Sequence, residues 1–307
     1  KRNLIECIES GWISSEGPFI KAFEEKFAIR FNRKHAIAVC NGTAALDAAI
    51  EALGIGPGDE VIMPSFTIIS CVMQIVRNGA KPVLIDSDPR TWNMDVGAIE
   101  ARITKRTKVI MAVHIYGLPI NMDPLLALAA KYGLKVLEDA AQMHGQTYKG
   151  RACGSLGDIS TFSFYPNKLI TTGEGGMVVT DDDDLAEQVR SLRNLCFMPE
   201  SRFVHERLGW NLRMTSMQAA LGLAQLERLD EFIARKRRMG GIYQELLGGL
   251  KGVQLPQAST DFADSLYWVF GIVLDEQLKL TASEVMKRLA SEGIGTRPFF
   301  YPMHQQP

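Results

Sequence analysis

Short apolar runs alternate with amphipathic stretches through roughly the first 180 residues, and this alternation confines the chain to a small set of folds. Residues 60–63, 82–86, 108–113 and 135–139 are short and rich in Val and Ile, as strands buried on both faces are. Between them, residues 43–53, 68–77, 95–103 and 124–132 carry helical spacing. Strands alternating with helices predict a mainly parallel sheet covered by helices on both faces, an α/β fold. Gly54-Ile55-Gly56-Pro57-Gly58-Asp59 cannot continue a helix, and Asn78-Gly79 closes the next one.

The rhythm then changes. Residues 158–164 and 175–180 read as two more strands around a loop holding Gly173, Gly175 and Gly176, which brings the sheet, with the apolar run at 36–40, to seven strands. Residues 216–247 read as one long helix. After Gly248-Gly249 a smaller α/β unit follows, with a strand at 267–274, a helix at 282–291 and a last segment at 294–297. The expected division is a large domain at residues 1–232 and a small C-terminal domain at 233–307. The acidic run 181–184 suits a solvated turn and a helix start.

A formal net charge of -1 gives no electrostatic footprint for nucleic acid or an anionic membrane, although a local basic pocket for a phosphorylated substrate stays open. The apolar stretch 61–76 is broken by Pro64, Ser65, Thr67, Ser70 and Gln74, and falls short of the ~20 apolar residues of a membrane span. Lys1-Arg2 leads straight into an amphipathic segment, so no signal peptide is expected. Five scattered cysteines with no CxxC pair argue against zinc and suit a reducing cytosol.

Four clusters carry chemistry. Asn41-Gly42-Thr43-Ala44 follows an apolar run and opens a helix, where bare N–H groups and the helix dipole favour a phosphate. A plain N-cap at Thr43 explains the same residues. Glu138-Asp139-Ala140-Ala141-Gln142 sets an acid at the C-terminal edge of a strand, where ligands of open α/β sheets bind. A buried Asp139 needs a cationic partner such as a protonated pyridine nitrogen, unless it caps the next helix. Lys168 ends the run Ser163-Phe164-Tyr165-Pro166-Asn167-Lys168 beside a glycine-rich loop. Partial burial there would depress its pKa and let the amine attack a carbonyl, and Ser163 lies within reach of the same phosphate. Gly209-Trp210-Asn211-Leu212-Arg213-Met214-Thr215 is either a binding loop or the approach to a helix. His114 and His144 read as hydrogen-bonded supports; Arg297 and His304 are either nucleotide contacts or ordinary surface.

Taken together these clusters resemble the sugar aminotransferases of the DegT/DnrJ/EryC1/StrS family, from Gly11-Trp12-Ile13 to Tyr301-Pro302-Met303-His304. The resemblance implies the aspartate-aminotransferase-like fold of type I pyridoxal 5′-phosphate enzymes, with the cofactor held by Lys168 as a Schiff base. It implies that Asp139 pairs with the pyridine nitrogen and that Gln142 bonds near the phenolic oxygen. Gly42, Thr43 and Ser163 would hold the phosphate, and Asn211 would reach it from the neighbouring subunit of a homodimer, itself able to pair into a tetramer. Residues 167–176 and 297–304 most resemble the GDP-perosamine synthases, which use glutamate to aminate C4 of a GDP-linked 4-keto-6-deoxy sugar for cell-surface polysaccharide. Other keto-sugars, a dehydratase of the same family and a non-catalytic cofactor-binding regulator are the alternatives. Lysine rather than histidine at 168 argues against the dehydratase, and the lack of a basic helix-turn-helix segment argues against the regulator. Ile68 stands where many members stack an aromatic ring on the cofactor. Set against the family, about a dozen N-terminal and several dozen C-terminal residues are wanting, so the small domain reads as incomplete.

Overall fold

The computed structural model describes residues 1–198, 200–205 and 207–307. Its main sheet comprises β1 (His35–Val39), β2 (Glu60–Pro64), β3 (Lys81–Ile85), β4 (Thr107–Val113), β5 (Lys135–Asp139), β6 (Ile159–Ser163) and β7 (Gly176–Thr180). In spatial order the strands run β1-β7-β6-β5-β4-β2-β3. The five from β3 to β6 are parallel, whereas β7 is antiparallel to both β6 and β1. The seven-stranded, mainly parallel sheet expected from the apolar rhythm is therefore present. Its strands end within a residue or two of the expected bounds.

The helices are α1 (Arg2–Ser10), α2 (Pro18–Arg30), α3 (Gly42–Ala52), α4 (Ser70–Arg77), α5 (Met122–Tyr132), α6 (Asp183–Arg193), α7 (Ser216–Leu226), α8 (Leu229–Leu247) and α9 (Ala282–Ser291). Phe23 and Phe27 of α2, Leu125 of α5 and Ala219 of α7 pack on one face of the sheet. Ala45 and Ala49 of α3, Ile75 of α4 and Val189 of α6 pack on the other. Each fully buried large side chain here, such as Phe23, Phe27 or Phe162, contributes about 2–3 kcal/mol by leaving water. The acidic run behaves as expected, with Asp182 capping α6 and Asp183 and Asp184 in its first turn.

Three expectations fail. Residues 95–103 form only two short 3-10 turns, Val96–Ala98 and Glu100–Arg102, because Asp95 accepts the Gly97 N–H and closes the first turn tightly. The long helix at 216–247 is two helices: the Arg228 N–H reaches back three residues to the Gln225 carbonyl, and Arg228 then caps α8. The strand at 267–274 shrinks to Val273–Leu274. Tyr267 adopts a left-handed φ of 51°, and the neighbouring backbone is pressed against Gly117, where a Cβ would sit 2.6 Å from the Trp268 nitrogen. Docking to that turn wins over strand pairing.

At the centre of the sheet, β5 carries two consecutive carboxylates on opposite faces, as strand geometry requires. Glu138 is fully buried and accepts from His114 Nε2 (2.9 Å), from the Gly154, Leu156 and Gly157 amides, and from Ser160 Oγ. His114 Nδ1 accepts the Ile120 N–H at 3.1 Å, which leaves the proton on Nε2. Cys153 completes a trio whose ligand atoms lie within 4.8 Å of one another, but Glu138 and His114 spend their lone pairs on protein donors, so the group is structural. Burial alone would raise the Glu138 pKa, yet the hydrogen bonds from His114, Gly154 and Leu156 bring it down to about 2. A carboxylate with a depressed folded pKa adds stability above its unfolded value, and that stability is lost as pH falls through the folded one. Glu138→Gln should therefore cost about 3 kcal/mol in urea unfolding near neutral pH, by turning an acceptor toward several N–H donors. The wild-type advantage should vanish between pH 4.5 and 2; an advantage that persists at the acid end would show that the charge is not what matters.

Candidate active site

Helix α3 is Ala-rich on its buried side, so it lies close to the sheet and brings its N-terminus against the end of β6. A Cβ at Gly42 would lie 2.6 Å from Ser163 Cβ, so only glycine leaves the first turn bare beside the Ser163 hydroxyl. The cap is Asn41, not Thr43: its Oδ1 accepts the Ala44 N–H at 2.8 Å, and its carbonyl accepts the Ala45 N–H. Thr43 is thus freed from capping, and its hydroxyl lies 2.9 Å from Ser70 Oγ at the start of α4. The first N–H groups of a helix have no intrahelical acceptor, so Gly42 and Thr43, with the hydroxyls of Ser163 and Ser70 beside them, make a candidate anion cradle.

Asp139, 3% exposed, faces this side of the sheet. Its Oδ1 accepts the Ala141 N–H at 3.0 Å and its Oδ2 accepts from Cys71 Sγ at 3.2 Å. The carboxylate therefore does cap the following turn, but it also remains a buried negative charge. Among the described residues no ion pair includes it. The first turn of α4 links the two halves of the site, since Ser70 touches Thr43 and the next residue, Cys71, touches Asp139.

Lys168 follows β6 in a loop whose Lys168 N–H bonds to the Tyr165 carbonyl at 2.9 Å. Its Nζ lies 3.9 Å from the centre of the Trp268 ring, and the indole N–H is tied to the Asn167 carbonyl at 2.9 Å. Burial lowers the ammonium pKa, Asp139 pulls it back up, and the outcome is about 8. A lysine so placed has a larger neutral fraction near neutral pH than a solvated one, which is what a candidate nucleophile needs. Gln142 is buried and its Oε1 accepts the Tyr116 N–H at 2.5 Å, which fixes the amide and directs its NH2 group to other partners.

The remaining candidates separate. Asn211 is exposed on a segment that bridges to Asn194, while its neighbours bond to Cys40 and Arg193. Arg213 donates to Asn194 Oδ1 at 2.7 Å. The segment is thus an extended strip beside β1, and α7 starts only at Ser216, behind a Thr215–Gln218 capping box. Among the described residues no hydrogen bond or bridge joins Asn211 to Gly42, Thr43 or Ser163. A cavity of about 760 Å³ beside this strip is lined by Arg190, Arg193, Asn194 and Arg213 and by none of the Lys168 group. His144 departs from the expected hydrogen-bonded support: buried between Phe162 and Phe164, it has no hydrogen-bond partner on either ring nitrogen among the described residues. Burial, then the nearby Lys168 charge, hold its pKa down at about 3; the Ser163 backbone pulls weakly the other way without reaching hydrogen-bond geometry. His304 Nδ1 meets Ser65 Oγ at 2.6 Å, whereas Arg297 donates to the adjoining Thr296 carbonyl at 2.9 Å.

Three site residues escaped the sequence. Cys71 and Ser70 lie in a helix that reads as ordinary packing. Trp268 lies 100 positions beyond Lys168 and gives no local signal. The set fits pyridoxal phosphate on observed grounds: a turn that a Cβ would fill, a buried carboxylate that no ion pair engages among the described residues, and a lysine amine of depressed pKa within that carboxylate's field.

Comparison with known proteins agrees with that fit. The chain is 49% identical over 305 residues to the GDP-perosamine synthase of Caulobacter vibrioides, covering 99% of this chain and 82% of the relative. It is 45% identical over 307 residues to the GDP-perosamine synthase of Escherichia coli O157:H7, covering 100% and 83%. The crystal structure of S. venezuelae DesV superposes with a TM-score of 0.92 at 36% identity, covering 100% of this chain and 81% of that one. Matched over residues 1–307, the chain belongs to the DegT/DnrJ/EryC1/StrS aminotransferase family and is a pyridoxal phosphate-dependent sugar aminotransferase.

Proposed function

We propose that this enzyme transfers the amino group of glutamate to C4 of a GDP-linked 4-keto-6-deoxy sugar, as a step in cell-surface polysaccharide synthesis. One observation carries the chemistry: the Lys168 amine, lowered to about 8, lies under Trp268 and within the field of the buried Asp139. The nucleotide follows from the two full-length relatives at 49% and 45% identity, both GDP-perosamine synthases. Another nucleotide keto-sugar is the second reading, favoured by 38% identity over 293 residues to the dTDP-3-amino-3,4,6-trideoxy-alpha-D-glucose transaminase of Streptomyces venezuelae.

Bound pyridoxal phosphate supplies an electron sink for the charge left when a proton departs from the donor's α-carbon. Gly42, Thr43 and Ser163 bind its phosphate through helix N–H groups and hydroxyls. Asp139 keeps a proton on the ring nitrogen, because separating that pair would strand a buried charge. Gln142, anchored on the Tyr116 N–H, offers its NH2 group to the phenolic oxygen. Ile68, 42% exposed, would offer an aliphatic side chain to the face of the bound ring. Nζ of Lys168 anchors the cofactor, lifts the α-proton of glutamate once displaced, and delivers a proton to the sugar carbon in the second half-reaction. Trp268 covers that amine and keeps bulk water from it.

The same reading makes residues 1–232 the cofactor domain and 233–307 part of the smaller one, the division falling inside the continuous helix α8. Residues 297–304 fold back onto the large domain: the Met303 N–H bonds to the Ser65 carbonyl, and the Phe300 N–H to the Tyr116 hydroxyl. There they close one side of the sugar-binding space. We also place the enzyme in the cytoplasm, which its five free cysteines support; no helix among the described residues is long and apolar enough to cross a membrane. Asn211, exposed on the strip beside β1, serves the partner's phosphate in a homodimer with shared sites. Exposed Trp12, Ile13 and Trp210 supply apolar area for such contact.

Wild-type protein should gain a visible band with pyridoxal phosphate that glutamate bleaches. Lys168→Ala should show no such band, and a mutant band equal to wild type would refute the lysine's role. The rate of cofactor capture should rise about tenfold per pH unit below pH 8 and level off above it, as the neutral amine becomes the main species. A flat profile would remove the depressed lysine from the argument. With GDP- and dTDP-linked keto-sugars compared by kcat/KM, the GDP sugar should win and show parallel double-reciprocal plots with glutamate. Exclusive turnover of the dTDP sugar would decide for the second reading. Mixing Lys168→Ala with Asn211→Ala subunits should rebuild one sound site per dimer and raise activity above either parent; no gain would exclude shared sites.

A further inference from the structure

We propose that Cys71 is a positioning residue that orients the Asp139 carboxylate toward the cofactor's ring nitrogen, with the Thr67 hydroxyl holding the thiol in place. The proposal deepens the cofactor reading above and rests on it. Thr67, Cys71 and Asp139 are 1%, 1% and 3% exposed. Cys71 Sγ lies 3.2 Å from Asp139 Oδ2 and 3.2 Å from Thr67 Oγ1. Burial first, and the neighbouring Asp139 charge second, hold the thiol pKa well above its usual value. The sulfur therefore keeps its proton and donates it to Oδ2, and the Thr67 hydroxyl donates to sulfur.

With the Ala141 N–H on Oδ1 at 3.0 Å, both ends of the carboxylate are pinned by donors, and each oxygen keeps a lone pair. The weakness of the thiol as a donor is the useful property. Lysine or arginine at this position would neutralise Asp139 and compete with a pyridinium; a thiol fixes direction and leaves the charge available. The chain order makes the arrangement specific. Ser70 engages Thr43 in the phosphate cradle while Cys71 engages Asp139, so one turn of α4 sets the spacing between the two groups that grip opposite ends of the cofactor.

The test compares wild type with Cys71→Ser, which keeps a donor, and Cys71→Val, which keeps the bulk without one. The readouts are the Kd for pyridoxal phosphate, the visible band and the melting temperature. Ser should stay within about twofold of wild type in Kd and Val should bind about fivefold more weakly, or about 1 kcal/mol, without a matching loss of melting temperature. Equal Kd values for Val and Ser, or losses that track melting temperature in both, would reduce Cys71 to packing and overturn the proposal alone. Failure of wild type to capture pyridoxal phosphate would overturn the underlying reading and the proposal with it. A readout independent of the cofactor is the infrared S–H stretch of Cys71 in cofactor-free protein, isolated by subtracting the Cys71→Ser spectrum. Asp139→Asn should move it to higher frequency, and an unchanged band would show that no such hydrogen bond exists.

Discussion

Side chains alternate across a strand, so Glu138 and Asp139 at the end of β5 must face opposite sides of the sheet, and the rest of the molecule is organised around that division. On one side Glu138 gathers main-chain and side-chain donors from β4 and from the 154–160 turn, fixing where β6 begins relative to β5. On the other side Asp139 is fixed by one amide and one thiol, and no ion pair includes it among the described residues. The first carboxylate is satisfied and structural. The second is held in place yet available, which is the condition for a ligand-binding group.

The parallel strands end together at one edge of the sheet, and the reactive groups come to that edge from both sides of the chain's rhythm. Gly42 admits the N-terminus of α3 to within contact of Ser163. Ser70 and Cys71 tie the cradle to the carboxylate. Lys168 leaves β6 and reaches Trp268, whose segment is held against the Gly117 turn instead of joining a strand. The strongest departure from the expected secondary structure, at residues 267–274, thus falls beside the reactive amine. Local preference yields where a functional contact needs an irregular backbone.

Much of the site was legible because its residues are local punctuation. Gly42 and Thr43 open a helix after a strand, Asp139 closes a strand, and Lys168 follows one, so each carries a positional signal as well as a residue type. The histidines were not legible in this way. His114 is hydrogen-bonded on both nitrogens and His144 on neither, although both follow strand-end segments. Which of them meets a polar partner depends on the ring's neighbours across the sheet, Phe162 and Phe164 in the case of His144, and these are set by packing.

The sequence by itself determined the α/β class and the seven strands, and it marked a lysine, an acid and a glycine turn as candidates, because period, turn chemistry and strand ends are local properties. Only the tertiary structure decided that Asn41 caps α3 and frees Thr43, that Cys71 bonds to Asp139, and that Trp268 covers Lys168. Those contacts join residues 27, 68 and 100 positions apart for Thr43–Ser70, Cys71–Asp139 and Lys168–Trp268. Pairing at such separations depends on which helix packs on which strand, and no periodicity within a single segment encodes it.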